Sequence, residues 1–141
     1  MVAGTRDYGE SVIFFLVRDG MVLCEVREWG GRVRNSSPGG GIDPVDREAP
    51  DPRVAALLRE MAEELGVEPT AYRLVGEAWL RREWLFYVFV VDRWRGDLPQ
   101  AVLDTGRPLR WVRPAELIAD LNMPDLVELV REHVERNGGE R

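Results

Sequence analysis

The chain contains no lysine: all nineteen of its basic residues are arginine. There is therefore no Schiff-base nucleophile and no phosphate-gripping lysine of the P-loop kind. Histidine is almost as scarce. The single one, His133, lies near the chain end, which argues against a Ser-His-Asp arrangement and excludes a metal site built from several histidines. The one cysteine, Cys24, falls in an apolar stretch and reads as a small core residue rather than a nucleophile. It can form no disulfide within the chain, which suits a reducing cytoplasm. Long hydrophobic runs are missing too. Residues 1–10 are polar and lack the apolar centre of a signal peptide, and no stretch approaches membrane-spanning length. A formal net charge of −6 disfavours non-specific nucleic-acid binding, whose affinity comes from neutralising backbone phosphates. Neither nucleic acid nor membrane is expected as a partner. Carboxylates, arginines and whatever cation they hold are left to do the chemistry.

At 141 residues the chain suits one domain that buries about two thirds of its surface. Residues 11–17 form an apolar run rich in β-formers, Arg18-Asp19-Gly20 reads as a turn, and residues 21–26 as the returning strand. Residues 28–37 carry Gly, Arg and Ser and read as a loop leading into Pro38-Gly39-Gly40-Gly41. Asp51 as cap, Pro52 at the first position and Gly66 just past the end delimit a helix. Strands are expected over residues 72–80 and 84–92, then a loop over 93–108 of the length that is commonly functional. A short strand at 109–112, a short helix at 114–120 and a final helix at 124–136 complete the pattern. No repeat or linker interrupts it. The expectation is a single domain over residues 1–141, an α/β sandwich with a mixed sheet between helices.

Glu60, Glu63 and Glu64 stand at i, i+3 and i+4 in the central helix, within an arc of about 100°. The apolar stripe expected from Val54, Leu58, Met61 and Leu65 lies about 135° away. Like charges so spaced cost a helix roughly 0.2–0.5 kcal/mol per pair in water. In a partly dry site of effective dielectric near 20, the cost at ~5 Å rises to about 3 kcal/mol. Such a face is either solvated or holds a cation.

The segment Arg59-Glu60-Met61-Ala62-Glu63-Glu64-Leu65-Gly66-Val67, with Pro38-Gly39-Gly40-Gly41-Ile42-Asp43 upstream, resembles the Nudix box over about residues 39–67. The box reads G-x5-E-x7-R-E-U-x-E-E-x-G-U, with U aliphatic, and Arg59 through Val67 matches its second half at every specified position. Gly40 would be the opening glycine. Asp46 stands where the family has glutamate, and five extra residues, 47–51, separate it from Arg59 as a polar, proline-containing surface loop.

That resemblance implies an α/β/α sandwich and a hydrolase that cleaves a nucleoside diphosphate linked to a further group X by water attack at phosphorus. It implies Mg²⁺ as cofactor, with Mn²⁺ second, in keeping with oxygen-only ligands. Glu60, Glu63 and Glu64 match the metal-ligating positions, with Glu60 the preferred general base, and Gly40 matches the position whose carbonyl completes the coordination. Arg59 would orient the glutamates and the glycine loop. Asp104, ahead of Asp97 and Glu83, matches a further metal-binding acid on the loop before the last core strand. Arg27 would reach a phosphate, and Asn122 and Asp125 the base, with helix capping as the rival role of those two. The expected partner is a small phosphorylated nucleotide, bound by a monomer or homodimer. Read as a small domain without an N-terminal extension, the chain is expected to favour a triphosphate, oxidised or non-canonical nucleotides included. ADP-ribose and nucleotide sugars are the alternatives among enzymes. A non-catalytic nucleotide sensor or protein-interaction module is the alternative outside them.

Overall fold

The apolar run near the start lies in the middle of the sheet, because both of its faces meet a helical layer. In a computed structural model describing residues 8–118 and 124–138, it forms β1 (Gly9–Arg18). The chain continues through β2 (Met21–Trp29), β3 (Arg32–Ser36), β4 (Gly39–Gly41), α1 (Pro52–Leu65), β5 (Glu68–Leu80), β6 (Trp84–Arg95), β7 (Leu109–Val112), α2 (Ala115–Ile118) and α3 (Pro124–Gly138). The side chains of β1 alternate between two cores. Val12, Phe14 and Leu16 pack with Leu57, Met61 and Leu65 of α1. Ile13 and Phe15 pack with Leu126, Val130 and Val134 of α3. Cys24 is buried in that second core. The expected α/β sandwich is the observed one.

Seven strands form a mixed sheet of order β3-β2-β1-β6-β5, with β4 paired to β1 and β7 to β2. Among the described residues only β1 and β6 run parallel. The hairpin of β1 and β2 pairs at just two positions, Val17 with Val22 and Arg18 with Met21. The strands then part. Beside β1, β4 places Gly41, Gly40 and Gly39 opposite Ser11, Val12 and Ile13. Meanwhile β2 continues against β7 and β3. Where the strands separate, α1 meets the glycine run rather than a surface of side chains. Among the described residues no helix is long and apolar enough to cross a membrane.

Three expectations need correction. Residues 28–37 are not a loop. Two strands meet there at Gly30-Gly31, whose φ values of 59° and 77° form the tight hairpin turn that only glycine adopts readily. The long loop is shorter than expected, spanning 96–108, because β6 runs on to Arg95. It is also pinned: Val102 N–H donates to the Arg107 carbonyl, Leu109 N–H to Gln100, and Leu103 N–H to Glu64 at 2.8 Å. Finally, Leu57 rather than Leu58 lies on the buried stripe of α1; Leu58 is 40% exposed. Part of the extra segment 47–51 joins a single 3₁₀ turn, Asp46–Glu48, and Arg47 Nη2 donates to Glu10 Oε1 at 2.8 Å. The Tyr87 hydroxyl also donates to Glu10.

Candidate functional site

The ends of α1 are set as its sequence requires. Asp51 accepts a hydrogen bond from Arg53 N at 3.1 Å, Pro52 opens the helix, and Gly66 closes it with φ 68°. So anchored, the helix turns two of its three glutamates inward. Glu60 and Glu64 are buried at 9% and 7% exposure, whereas the Glu63 side chain is 53% exposed. The inward pair packs on β4. A Cβ on Gly40 would stand 2.2 Å from Glu60 Oε1, so any side chain there would displace the carboxylate. Gly39 N–H donates to Glu64 Oε2 at 3.0 Å. The acid face is therefore split, with two carboxylates in a dry wall and one at its rim.

Burial dominates their electrostatics. It pushes the Glu64 carboxyl up to about 8, helped by the negative charges of Glu60, Glu25 and Asp104 and opposed by the Gly39 N–H. Burial also raises Glu60, though Arg59 pulls it back. Arg59 is the hub of the site. Its Nη1 donates to Glu60 Oε1 at 2.9 Å and Glu63 Oε2 at 3.3 Å, and its Nη2 to the Gly41 carbonyl at 2.9 Å. One guanidinium thus joins the helix to the glycine strand.

Asp46 completes that hub. It is 3% exposed and receives Arg59 Nη2 at 2.8 Å and Nε at 3.2 Å, together with the Asp43 N–H. The Arg59 bond, ahead of all other causes, holds its carboxyl below the ordinary value. The shorter acid still reaches the arginine because the 3₁₀ turn brings the chain close to α1. Asp46→Asn should cost about 1.5–3 kcal/mol, the range for hydrogen bonds to charged groups. The lowered carboxyl contributes stability above its unfolded value of 3.8 and loses it as pH falls further. Urea titrations at pH 7 and pH 3 should therefore show wild type and variant converging in acid.

The remaining residues singled out from the sequence divide. Asp104 sits in the exposed turn beside Glu64, near enough for its charge to oppose ionisation of Glu64. Asp97 is exposed earlier in the same loop, and Glu83 lies in the β5–β6 turn. Arg27 bonds Glu25 Oε1 at 3.1 Å. Asp125 is exposed in the first turn of α3, and Asn122 lies outside the described residues. The sequence reading missed Glu25, which is 1% exposed and bonded by both Arg27 and Arg107. A charged residue amid the apolar positions of β2 was the available signal.

The donor chemistry fits a hard divalent ion: oxygen ligands only, two of them buried, against a strand whose missing side chains leave the backbone accessible. As the side chains stand, no group of three acids, histidines or cysteines among the described residues converges on one point. Arg59 Nη1 bonds Glu60 Oε1 and Glu63 Oε2, one oxygen of each carboxylate.

A family model of the NUDIX domain matches residues 7–133. Solved structures share the fold. The E. coli ORF135 protein in solution is 25% identical with a TM-score of 0.70, each chain covered to 96%. A MutT NUDIX hydrolase from Burkholderia pseudomallei is 21% identical with a TM-score of 0.68, covering 89% of this chain and 99% of that one. The NUDIX domain of Shewanella oneidensis NrtR, solved with ADP ribose, is 17% identical with a TM-score of 0.65, covering 92% and 90%.

Proposed function

We propose that this chain, which belongs to the Nudix family, is a Mg²⁺-dependent pyrophosphohydrolase of nucleoside diphosphates linked to a further group, with nucleoside triphosphates as its preferred class. As a family member it is a hydrolase of pyrophosphate bonds. One observation carries the finer reading. Glu60 and Glu64 occupy inward helix positions where a purely structural helix would place apolar side chains. Burying ionised carboxylates without compensation is expensive, and the arrangement makes sense as a place kept for a cation.

Glu60, Glu63, Glu64 and the Gly40 carbonyl would hold the ion, with Asp104 as a further oxygen. Bound there, it would supply charge neutralisation of the phosphates and an acidified water. The chain's own residues do the rest. Arg59 fixes Glu60 and Gly41 relative to each other, which sets the spacing between helix and glycine strand. As proton acceptor, Glu60 competes with Glu64. The Arg59 bond lowers the basicity of Glu60, whereas Glu64 is raised by burial and neighbouring charges and opposed by the Gly39 amide.

Release of phosphate or pyrophosphate from nucleoside triphosphates, ADP-ribose and nucleotide sugars in the presence of Mg²⁺ tests the reading. Binding without turnover of any of them would favour a non-catalytic nucleotide sensor instead. Within the enzyme reading, Asp104→Asn should lower kcat ten-fold or more, about 1.4 kcal/mol of barrier, with little change in Tm. Asp97→Asn and Glu83→Gln serve as controls. A fall in either of those with Asp104→Asn fully active would misplace the loop acid.

A further inference from the structure

We propose that Glu25 is a positioning residue that gathers Arg27 and Arg107 into a two-guanidinium clamp for a terminal phosphate of the substrate. This rests on the phosphoanhydride-cleaving reading above and narrows it to substrates with a phosphate beyond the scissile bond. Glu25 lies on the same side of β2 as Leu23, which packs into the α1 core. At 1% exposure its charge has to be paired, because an uncompensated buried carboxylate is strongly destabilising. It is paired twice, once per oxygen. Arg27 Nη2 donates to Oε1 at 3.1 Å, and Arg107 Nη1 donates to Oε2 at 3.3 Å.

The two arginines are held at one point and open elsewhere. A guanidinium carries five N–H donors. Among the described residues each side chain makes a single hydrogen bond, the one to Glu25. The side chains are 42% and 43% exposed, and the Arg27 Nε is buried with no partner. One carboxylate and two guanidiniums leave a net charge of +1 in a chain whose total is −6. That positive point is near the carboxylates of α1, since the Glu25 charge acts on Glu64. Guanidinium forks match phosphate oxygens in geometry as well as charge. Arg107 also belongs to the loop whose Leu103 N–H bonds the Glu64 carbonyl, so the clamp latches that loop onto β2.

Calorimetric titration of the full chain in Mg²⁺ tests this with two adenine ligands: α,β-methylene-ATP, which has terminal phosphates, and ADP-ribose, which has none. Arg107→Met and Glu25→Gln should each weaken α,β-methylene-ATP ten-fold or more and leave ADP-ribose within two-fold. Arg107→Lys, which keeps charge and loses the fork, should fall between. Non-additive losses in the Glu25→Gln/Arg107→Met double variant would show that the two act as one unit. Arg107 is half exposed, so its variants report even if Glu25→Gln folds poorly. Equal weakening of both ligands, no weakening, or failure of the wild type to bind α,β-methylene-ATP would overturn the clamp. Discrimination by the clamp without turnover of any nucleotide would uphold it and remove the hydrolase reading.

Discussion

Glu64→Gln should lose at least a hundred-fold in turnover while unfolding at a higher temperature than the wild type at pH 8. The two effects have one cause. In the folded protein, burial and the neighbouring charges raise the Glu64 carboxyl from 4.5 to about 8. Between those values the folded state keeps a proton that the unfolded state has released, so stability falls as pH rises through this window. Glutamine keeps the shape and can still accept the Gly39 N–H, but it carries no charge to desolvate. The stability gain should be absent below pH 4.5, grow through the window and level off above about 8. Each 1 kcal/mol corresponds to about 4 °C in Tm for a domain of this size. Turnover is lost because an amide is a poor ligand for a hard cation and a poor proton acceptor. A variant that gains stability and keeps its rate would make Glu64 an inherited burden rather than part of the site.

Glu63→Gln should also abolish turnover, but without the gain in stability. Its side chain is 53% exposed and, among the described residues, makes one bond, from Arg59 Nη1 at 3.3 Å. Removing its charge neither opens a cavity nor relieves a buried one, so Tm should stay within about 1 °C, as for most surface changes. Less than a tenth of the wild-type rate should survive at saturating Mg²⁺. Retention of more than that would remove Glu63 from the metal-binding set. The pair of variants separates two kinds of carboxylate on one helix. One is costly to the fold and the other nearly free, yet both are required for the reaction.

The box helix was legible because its signals are local. Asp51, Pro52 and Gly66 mark its ends, and three acids at i, i+3 and i+4 define a face. How that face meets the protein was not legible. The stripe through Leu58 assumed one apolar side facing one core. In fact α1 is buried along a wider arc that includes Glu60 and Glu64, because the glycine strand offers no side chains to keep them out. β3 was missed because its residues are polar, although Gly30-Gly31 was itself a hairpin signal. Asp46 could be aligned to the family's glutamate, but its bond to Arg59 depends on a 3₁₀ turn that spacing does not foretell. Glu25 and Arg107 are 82 residues apart and meet only once β7 has paired with β2. Long-range ion pairs of that kind leave no periodic trace in a sequence.

The central claim is that buried carboxylates on α1 are kept for a divalent cation. Titrating Mn²⁺ into the wild type and Glu64→Gln in buffers of different ionisation enthalpy tests it directly, because binding to a protonated carboxyl must release its proton. The wild type should bind Mn²⁺ at pH 7 with close to one proton released per site, release little above pH 9, and bind more tightly as pH rises. Glu64→Gln should bind far more weakly and without the pH dependence. Equal binding by both proteins, or binding by the wild type with no proton released at pH 7, would contradict the account.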